Sequence, residues 1–294
     1  MSTRIVNAMT VDVEDYFHVT AFANTLDRAR WQDLEYRAER NTERVMELFS
    51  AAGIKATFFV LGWVARRSPG LIRKIYAAGH EIACHGMSHQ LVYKQTREVF
   101  HQETRDAKQL LEDIVGVKVR GYRAASYSII PKSLWALDVL EELGFEYDSS
   151  IFPVRHDIYG MRHAPRHPFN PGVGRLLEVP LTTVEIFGAR LPCGGGGYFR
   201  IFPYSLFKMG LRRVNNVDHL PGVFYFHPWE IDPGQPRLPA GWRSRFRHYY
   251  NLAHTEARLV RLLKDFSWGR MDRVFLEPAQ ARAPEVVSLA TGVA

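Results

Sequence analysis

The chain has 294 residues, 46% hydrophobic and 13% aromatic, enough to bury a sizeable core and too apolar for a disordered, collagenous or coiled-coil protein. Lys plus Arg number 38 against 31 acidic residues, a net charge of +7, and residues 195–294 alone carry 14 basic and 8 acidic residues. Nearly all the excess charge therefore sits in the last third, which suits anionic glycans, lipid phosphates or nucleic acid, and equally a plain solvated surface.

In chain order, the opening MSTRIVNAMTVDVEDYF meets acidic residues before an apolar leader segment could develop, so no signal peptide is expected. Arg4–Val11 reads as a buried strand ending at Asp12. Asn41–Ala52 has the helical spacing of Val45, Met46, Leu48 and Phe49, and Gly53 ends it. Lys55–Leu61 reads as the next strand; the apolar stretch around it, Ala56–Ala65, is about half a membrane span. Helix 70–78, strand Glu81–Cys84, a long helix 96–114, a strand near 119–122, helix 131–143 and strand 145–148 follow. Such alternation argues for a parallel sheet, barrel or doubly wound. After Ser150 the chain turns rich in Pro, Gly, His and Arg, with short strands expected at 176–179 and 182–187. Gly194–Gly197 reads as a flexible loop, Val223–His227 as a strand and 251–266 as an amphipathic helix, with a loosely ordered tail from about Ala279. Two cysteines, Cys84 and Cys193, form no disulfide framework, which fits a reducing compartment. A cytoplasmic protein is expected.

Functional groups of parallel α/β folds collect at the carboxyl ends of strands. Three predicted strands end in metal-ligand residues: Asp12-Val13-Glu14-Asp15, Cys84-His85-Gly86-Met87-Ser88-His89, and His227-Pro228-Trp229. His85 and His89, four apart, can face one ion on a helical turn or tight loop, and two histidines with a carboxylate make a common set for a divalent metal. Taken alone, an HxxxH among 12 histidines is as readily accidental; the acidic cluster favours the metal. One carboxylate of that cluster would bind the ion and another stay free as a general base, with His227 as the complementary acid.

Thr10–Phe17 (TVDVEDYF), His85–His89 (HGMSH), Gly121–Ile129 (GYRAASYSI) and Phe224–Pro228 (FYFHP) together resemble the NodB-homology polysaccharide deacetylases, carbohydrate esterase family 4. The likeness is nearest to the branch found in exosortase-associated exopolysaccharide gene clusters. The resemblance implies an α/β fold, a distorted (β/α)7 barrel over residues 1–230 with a family-specific C-terminal extension, 231–294, packed on it. It implies a divalent metal cofactor, zinc for preference, and removal of acetyl groups from N-acetylated sugars of a polysaccharide or its lipid-linked precursor. Position by position, Asp12 would be the base, Glu14 the metal carboxylate, His85 and His89 the histidine ligands, Arg123 the group orienting Asp12 and His227 the acid. A backbone N–H near Ser126–Tyr127 would hold the oxyanion. Tyr16, Phe17, Tyr127 and Trp229 would suit sugar stacking, though ordinary core packing is the readier role for them. The commoner first motif of the family has adjacent aspartates, so Asp15 stays open beside Glu14 as the ligand. Expected partners are the glycan or lipid-linked oligosaccharide, with no nucleic acid, no membrane span and at most a peripheral membrane contact. Two alternatives remain: an allantoinase-like hydrolase of cyclic amides, and a catalytically silent glycan-binding member, against which the joint presence of Asp12, both histidines and His227 speaks. In the basic last third, Arg243, Arg245 and Arg247 alternate around Trp242 and Phe246; an extended segment would put all three on one face, toward an anionic group.

Overall fold

The first strand runs Val6–Val13 (β1), buried at every residue after Val6, as expected of a parallel strand covered on both faces. The computed structural model describes residues 5–23, 25–156, 159–281 and 284–289; Arg4, the expected start of that strand, lies outside them. The βα alternation follows: Ala38–Ala52 (α1), Thr57–Val60 (β2), Gly62–Arg67 (α2), Pro69–Ala77 (α3), Glu81–Cys84 (β3), Arg97–Val115 (α4), Gly121–Tyr122 (β4), Trp135–Glu142 (α5) and Tyr147–Asp148 (β5). The second half holds Leu177–Glu178 (β6), the hairpin Thr183–Ile186 (β7) and Ala189–Pro192 (β8), helices Gly196–Ile201 (α6) and Tyr204–Asn216 (α7), and Val223–Phe226 (β9). Trp242–Tyr249 (α8), Leu252–Asp265 (α9), Ser267–Gly269 (β10) and Glu277–Ala281 (α10) complete it.

Eight strands form one sheet in the order β10-β1-β2-β3-β4-β5-β6, with β9 also on β1, and every pairing is parallel. Between β6 and β9 the ladder is irregular. There the Leu181 N–H donates to Ile151 O, Cys193 N–H to Thr182 O and Tyr225 N–H to Gly194 O. The result is a distorted parallel barrel with helices packed outside it. Gly195 cannot be replaced at this seam: its φ is +124°, and a Cβ would stand 2.0 Å from the Tyr225 carbonyl oxygen. The expected flexible loop at Gly194–Gly197 is thus a close-packed seam and a helix start.

Strand parity sorts the side chains into two layers. Met9, Val11, Val13, Ile82, Cys84, Phe224 and Phe226 pack under the helices. Ala8, Phe59, Ala83, Val223 and Tyr225 belong to the inner cluster. Asp12 and Glu14 continue the parity of Ala8, His85 that of Ala83, Arg123 that of Gly121, and His227 that of Tyr225, which aims all of them inward.

The C-terminal segment does more than cover the barrel. Within it, β10 pairs with β1 through Val6–Ala8, so the sheet itself draws on residues beyond 230. The tail is also pinned, since Asn170 and Val286 form a bridge. Among the described residues no helix is long and apolar enough to cross a membrane.

Candidate active site

Asp12 sits at the inner end of β1, 2% exposed, and its Oδ1 accepts a hydrogen bond of 2.7 Å from Arg123 Nη1. Arg123 is fully buried, a costly place for a cation unless every donor is used. It donates further to Thr10 Oγ1 at 2.8 Å and to Ser149 O and Oγ at 3.2 Å each. Its guanidinium lies 4.0 Å from the Phe59 ring centroid. The Arg123 carbonyl meanwhile faces His85 Nδ1 at 2.8 Å, leaving Nε2 of that imidazole for the pocket.

Glu14, His85 and His89 are all buried, with candidate ligand atoms within 4.8 Å of one another. Glu14 Oε2 stands 2.8 Å from His89 Nε2; its Oε1 accepts from the Trp229 indole at 3.3 Å. His89 adopts a left-handed φ of 52°, which turns its ring back toward His85. The loop between them is braced by backbone, with the Gly62 and Trp63 amides donating to Gly86 O and Met87 O. The Ser88 hydroxyl also donates to Glu103. Burial lowers His85 to about 4, so it stays a neutral ligand. Burial would raise Glu14, yet His89 and His227 together hold its carboxyl well below the ordinary range. His89 Nδ1 is buried and has no hydrogen-bond partner among the described residues. An ionised carboxylate among imidazoles, shut away from water, suits a divalent cation.

Asp15 is not part of this group. Its parity is opposite to that of Glu14, and its oxygens accept from the amides of Tyr16, Arg37 and Ala38 at 2.9, 2.6 and 2.8 Å. It caps the N-terminus of α1, and burial raises its pKa to about 6 against those three amides.

His227, just after β9, directs Nε2 to within 3.5 Å of Glu14 Oε1 and 3.9 Å of Asp12 Oδ2. Its Nδ1 is 2.7 Å from Glu230 Oε1, and Glu230 Oε2 accepts from Arg200 Nε at 2.6 Å. Arg200 spends its remaining donors on the carbonyls of Arg247, His248 and Tyr250. Burial alone would lower His227; Glu14, Glu230 and Asp12 outweigh it and push the imidazole up to about 9. Sequence reasoning missed Arg200 and Glu230. It also missed His18, which accepts from the Asp15 amide at Nδ1 and is held at about 3 by burial.

The aromatics near the motifs take the core-packing role. Tyr16, Phe17, Tyr127 and Trp229 are all nearly inaccessible, so none is an open stacking platform. Trp229 is a strut between His227, stacked at 5.1 Å, and His248, stacked at 4.2 Å. The Tyr127 amide donates to Ala124 O, and the Ser126 hydroxyl bonds that of Thr20 at 2.7 Å. The expected oxyanion donor at Tyr127 is therefore engaged in its own turn. A cleft of about 880 Å³ opens beside His89, with Phe22, Trp31, Tyr93 and Ser244 among its walls.

Residues 22–147 match the polysaccharide deacetylase family. Those residues carry a polysaccharide deacetylase domain of the NodB-homology type. Residues 149–276 match a second family, described as a domain of unknown function, DUF3473. The two matches divide the site: His85, His89 and Arg123 fall in the first, His227 in the second, and Asp12 and Glu14 precede both. A chitooligosaccharide deacetylase of Sinorhizobium fredii is 28% identical over 145 residues, 49% of this chain and 61% of that protein. The match thus spans about three fifths of that relative. Among solved structures, a Mycobacterium smegmatis protein described as a polysaccharide deacetylase superposes with a TM-score of 0.63 at 22% identity, covering 97% of this chain and 94% of that one. The allantoinase PuuE gives 0.55 at 18% identity, covering 96% and 86%. At these identities the likeness is one of fold.

Proposed function

We propose that this protein is a metal-dependent deacetylase of N-acetylated sugars, acting in the cytoplasm on a polysaccharide or its lipid-linked precursor before export. The carrying observation is that His227 Nε2 stands within 4 Å of both the Asp12 and Glu14 carboxylates, with His89 2.8 Å beyond Glu14. A base, a ligand set and an acid thereby share one buried pocket. A divalent ion held by Glu14, His85 and His89, with zinc favoured by the nitrogen and oxygen donors, would polarise the acetyl carbonyl and acidify adjacent water.

The chain's own groups supply the proton transfers. Asp12, one oxygen fixed by Arg123, presents Oδ2 to the pocket and removes the proton of the attacking water. His227, its Nδ1 held by Glu230, gives the Nε2 proton to the departing amine as the C–N bond breaks, and acetate is released. Glu230 accepts the Nδ1–H of the ring, so the second proton of the imidazolium is the one on Nε2, facing the reaction. The size and openness of the cleft favour a sugar chain over the small cyclic amide of an allantoinase.

The test is acetate release from a panel of N-acetylated oligosaccharides by the wild type and by Asp12→Asn. Release by the wild type that falls at least a hundredfold in the variant supports the reading. Hydrolysis of cyclic amides with none of N-acetyl sugars, or equal rates in the two proteins, overturns it.

A further inference from the structure

The arginine segment expected to be extended is the helix α8, and this regroups its side chains. At 100° per residue, Trp242, Phe246 and Tyr250 (the residue after the helix) fall along one outward stripe. They are 75%, 49% and 42% exposed, an unusual cost for three aromatic rings in succession. Arg245 borders the stripe on one side, Arg243 and Arg247 on the other. All three arginines are exposed, and among the described residues none makes an ion pair with an acid; Arg243 instead lies 5.3 Å from the Trp242 ring. A surface whose arginines neutralise nearby acids is therefore not what the helix presents.

The opposite face of α8 reaches the site. Ser244 lines the cleft that extends to His89. His248 is buried and stacks on Trp229, the residue that donates to Glu14.

We infer that the outward face of α8 is a second binding surface, apart from the cleft, for a carboxylate-bearing glycan chain. Exposed aromatic faces stack on the C–H faces of pyranose rings, and four residues of helix advance about 6 Å, comparable to the pitch of successive sugars. Arginine's planar fork matches carboxylates between those rings. A second exposed apolar patch sharpens the contrast: Phe187, Leu206, Met209 and Val217 beside the groove of α7 are mainly aliphatic, the composition expected for lipid or protein and not for sugar. The inference rests on the glycan reading above, deepening it from N-acetylated sugars to an acidic polymer that contains them.

Binding is measured apart from turnover, by isothermal titration of polygalacturonate, neutral dextran and phosphatidylglycerol vesicles. The proteins are the wild type, Trp242→Ala/Phe246→Ala, Arg243→Glu/Arg247→Glu and the control Leu206→Ser/Met209→Ser. Asp12→Asn is included so that loss of catalysis and loss of this surface are read separately. The expected result is polygalacturonate binding that weakens with salt and falls about tenfold in each α8 variant. Asp12→Asn and the α7 variant should bind as wild type, and unchanged melting temperatures show that the α8 variants fold. Equal polygalacturonate binding by wild type and α8 variants, no such binding at all, or loss confined to vesicle binding would each overturn the inference.

Discussion

The ligand end of the site and its acid end come from different halves of the chain and are braced differently. Asp12, Glu14, His85 and Arg123 stand directly on or beside β1, β3 and β4, and their braces are neighbours in the sheet: Thr10, Ser149 and the Arg123 carbonyl. His227 also follows a strand, but its brace is a relay, Glu230 to Arg200 to the carbonyls of 247–250. Strand parity alone aims the first group, whereas the second depends on a tertiary network spanning about fifty residues. The difference teaches that the two ends should fail independently. Damage to the strand ends should cost metal or base function. Damage to the relay should leave the metal in place and change the proton inventory.

The largest expected effect is at the ligand end. His85→Ala and His89→Ala should each abolish stoichiometric metal binding while circular dichroism stays native, as measured by elemental analysis after gel filtration. Metal content equal to wild type would break the comparison at its first member.

Glu14→Gln and Asp15→Asn should part ways although the residues are adjacent. Glu14→Gln lowers metal affinity by an order of magnitude or more with modest change in melting temperature. Asp15→Asn keeps the metal and loses about 1 kcal/mol of stability, because it weakens the cap on α1. The reverse pattern would return the ligand role to Asp15.

At the acid end, Glu230→Gln should leave metal content unchanged and lower kcat about tenfold. It should also move the alkaline limb of the pH–rate profile down. His227 acts while protonated, so activity is lost as pH rises through its pKa, which Glu14, Glu230 and Asp12 together raise; neutralising Glu230 removes one of those three contributions and lowers it. An unmoved limb would show that the relay does not govern His227.

The smallest effect lies away from the site, at the buried carboxyl pair Asp148 and Glu178. Burial raises Asp148 to about 6 and Glu178 well above its usual range. Raised carboxyls mean that the folded state holds more protons than the unfolded chain. Stability is therefore complete below about pH 4 and declines as pH rises through 6. Glu178→Gln should flatten that decline in denaturant titrations across pH. A slope identical to wild type would show that the raised carboxyl of Glu178 does not shape stability.

Legibility in the sequence follows the same division. Apolar runs closed by glycine gave the order of the first five strands and their helices to within a few residues. The residues gathered at the site were visible as a cluster of ligand types after three of those strands. Even the choice between Glu14 and Asp15 was available in principle, since alternation from Ala8 through Asp12 carries inward to Glu14 and sends Asp15 toward α1. The irregular half hid more. α7 carries apolar residues on both an inner face, Phe207 and Leu211, and an outer one, Leu206 and Met209, which blurs helical periodicity. β10 has three residues and no pattern of its own. Arg200 and Glu230 meet across thirty positions, and nothing local marks either as a partner of His227. The aromatic residues near the motifs were visible, but only burial shows that they are struts.

The account's central claim is that Glu14, His85 and His89 hold a divalent ion which Asp12 and His227 need in order to deacetylate sugars. It is tested most directly by removing the metal with a chelator and following acetate release from N-acetylglucosamine oligomers before and after stoichiometric zinc is restored. The account predicts release that disappears with the metal, returns with zinc in the wild type, and stays absent in an Asp12→Asn protein that has taken up the same amount of zinc. Release that persists in the metal-free protein, or a zinc-loaded Asp12→Asn protein as active as wild type, would contradict it.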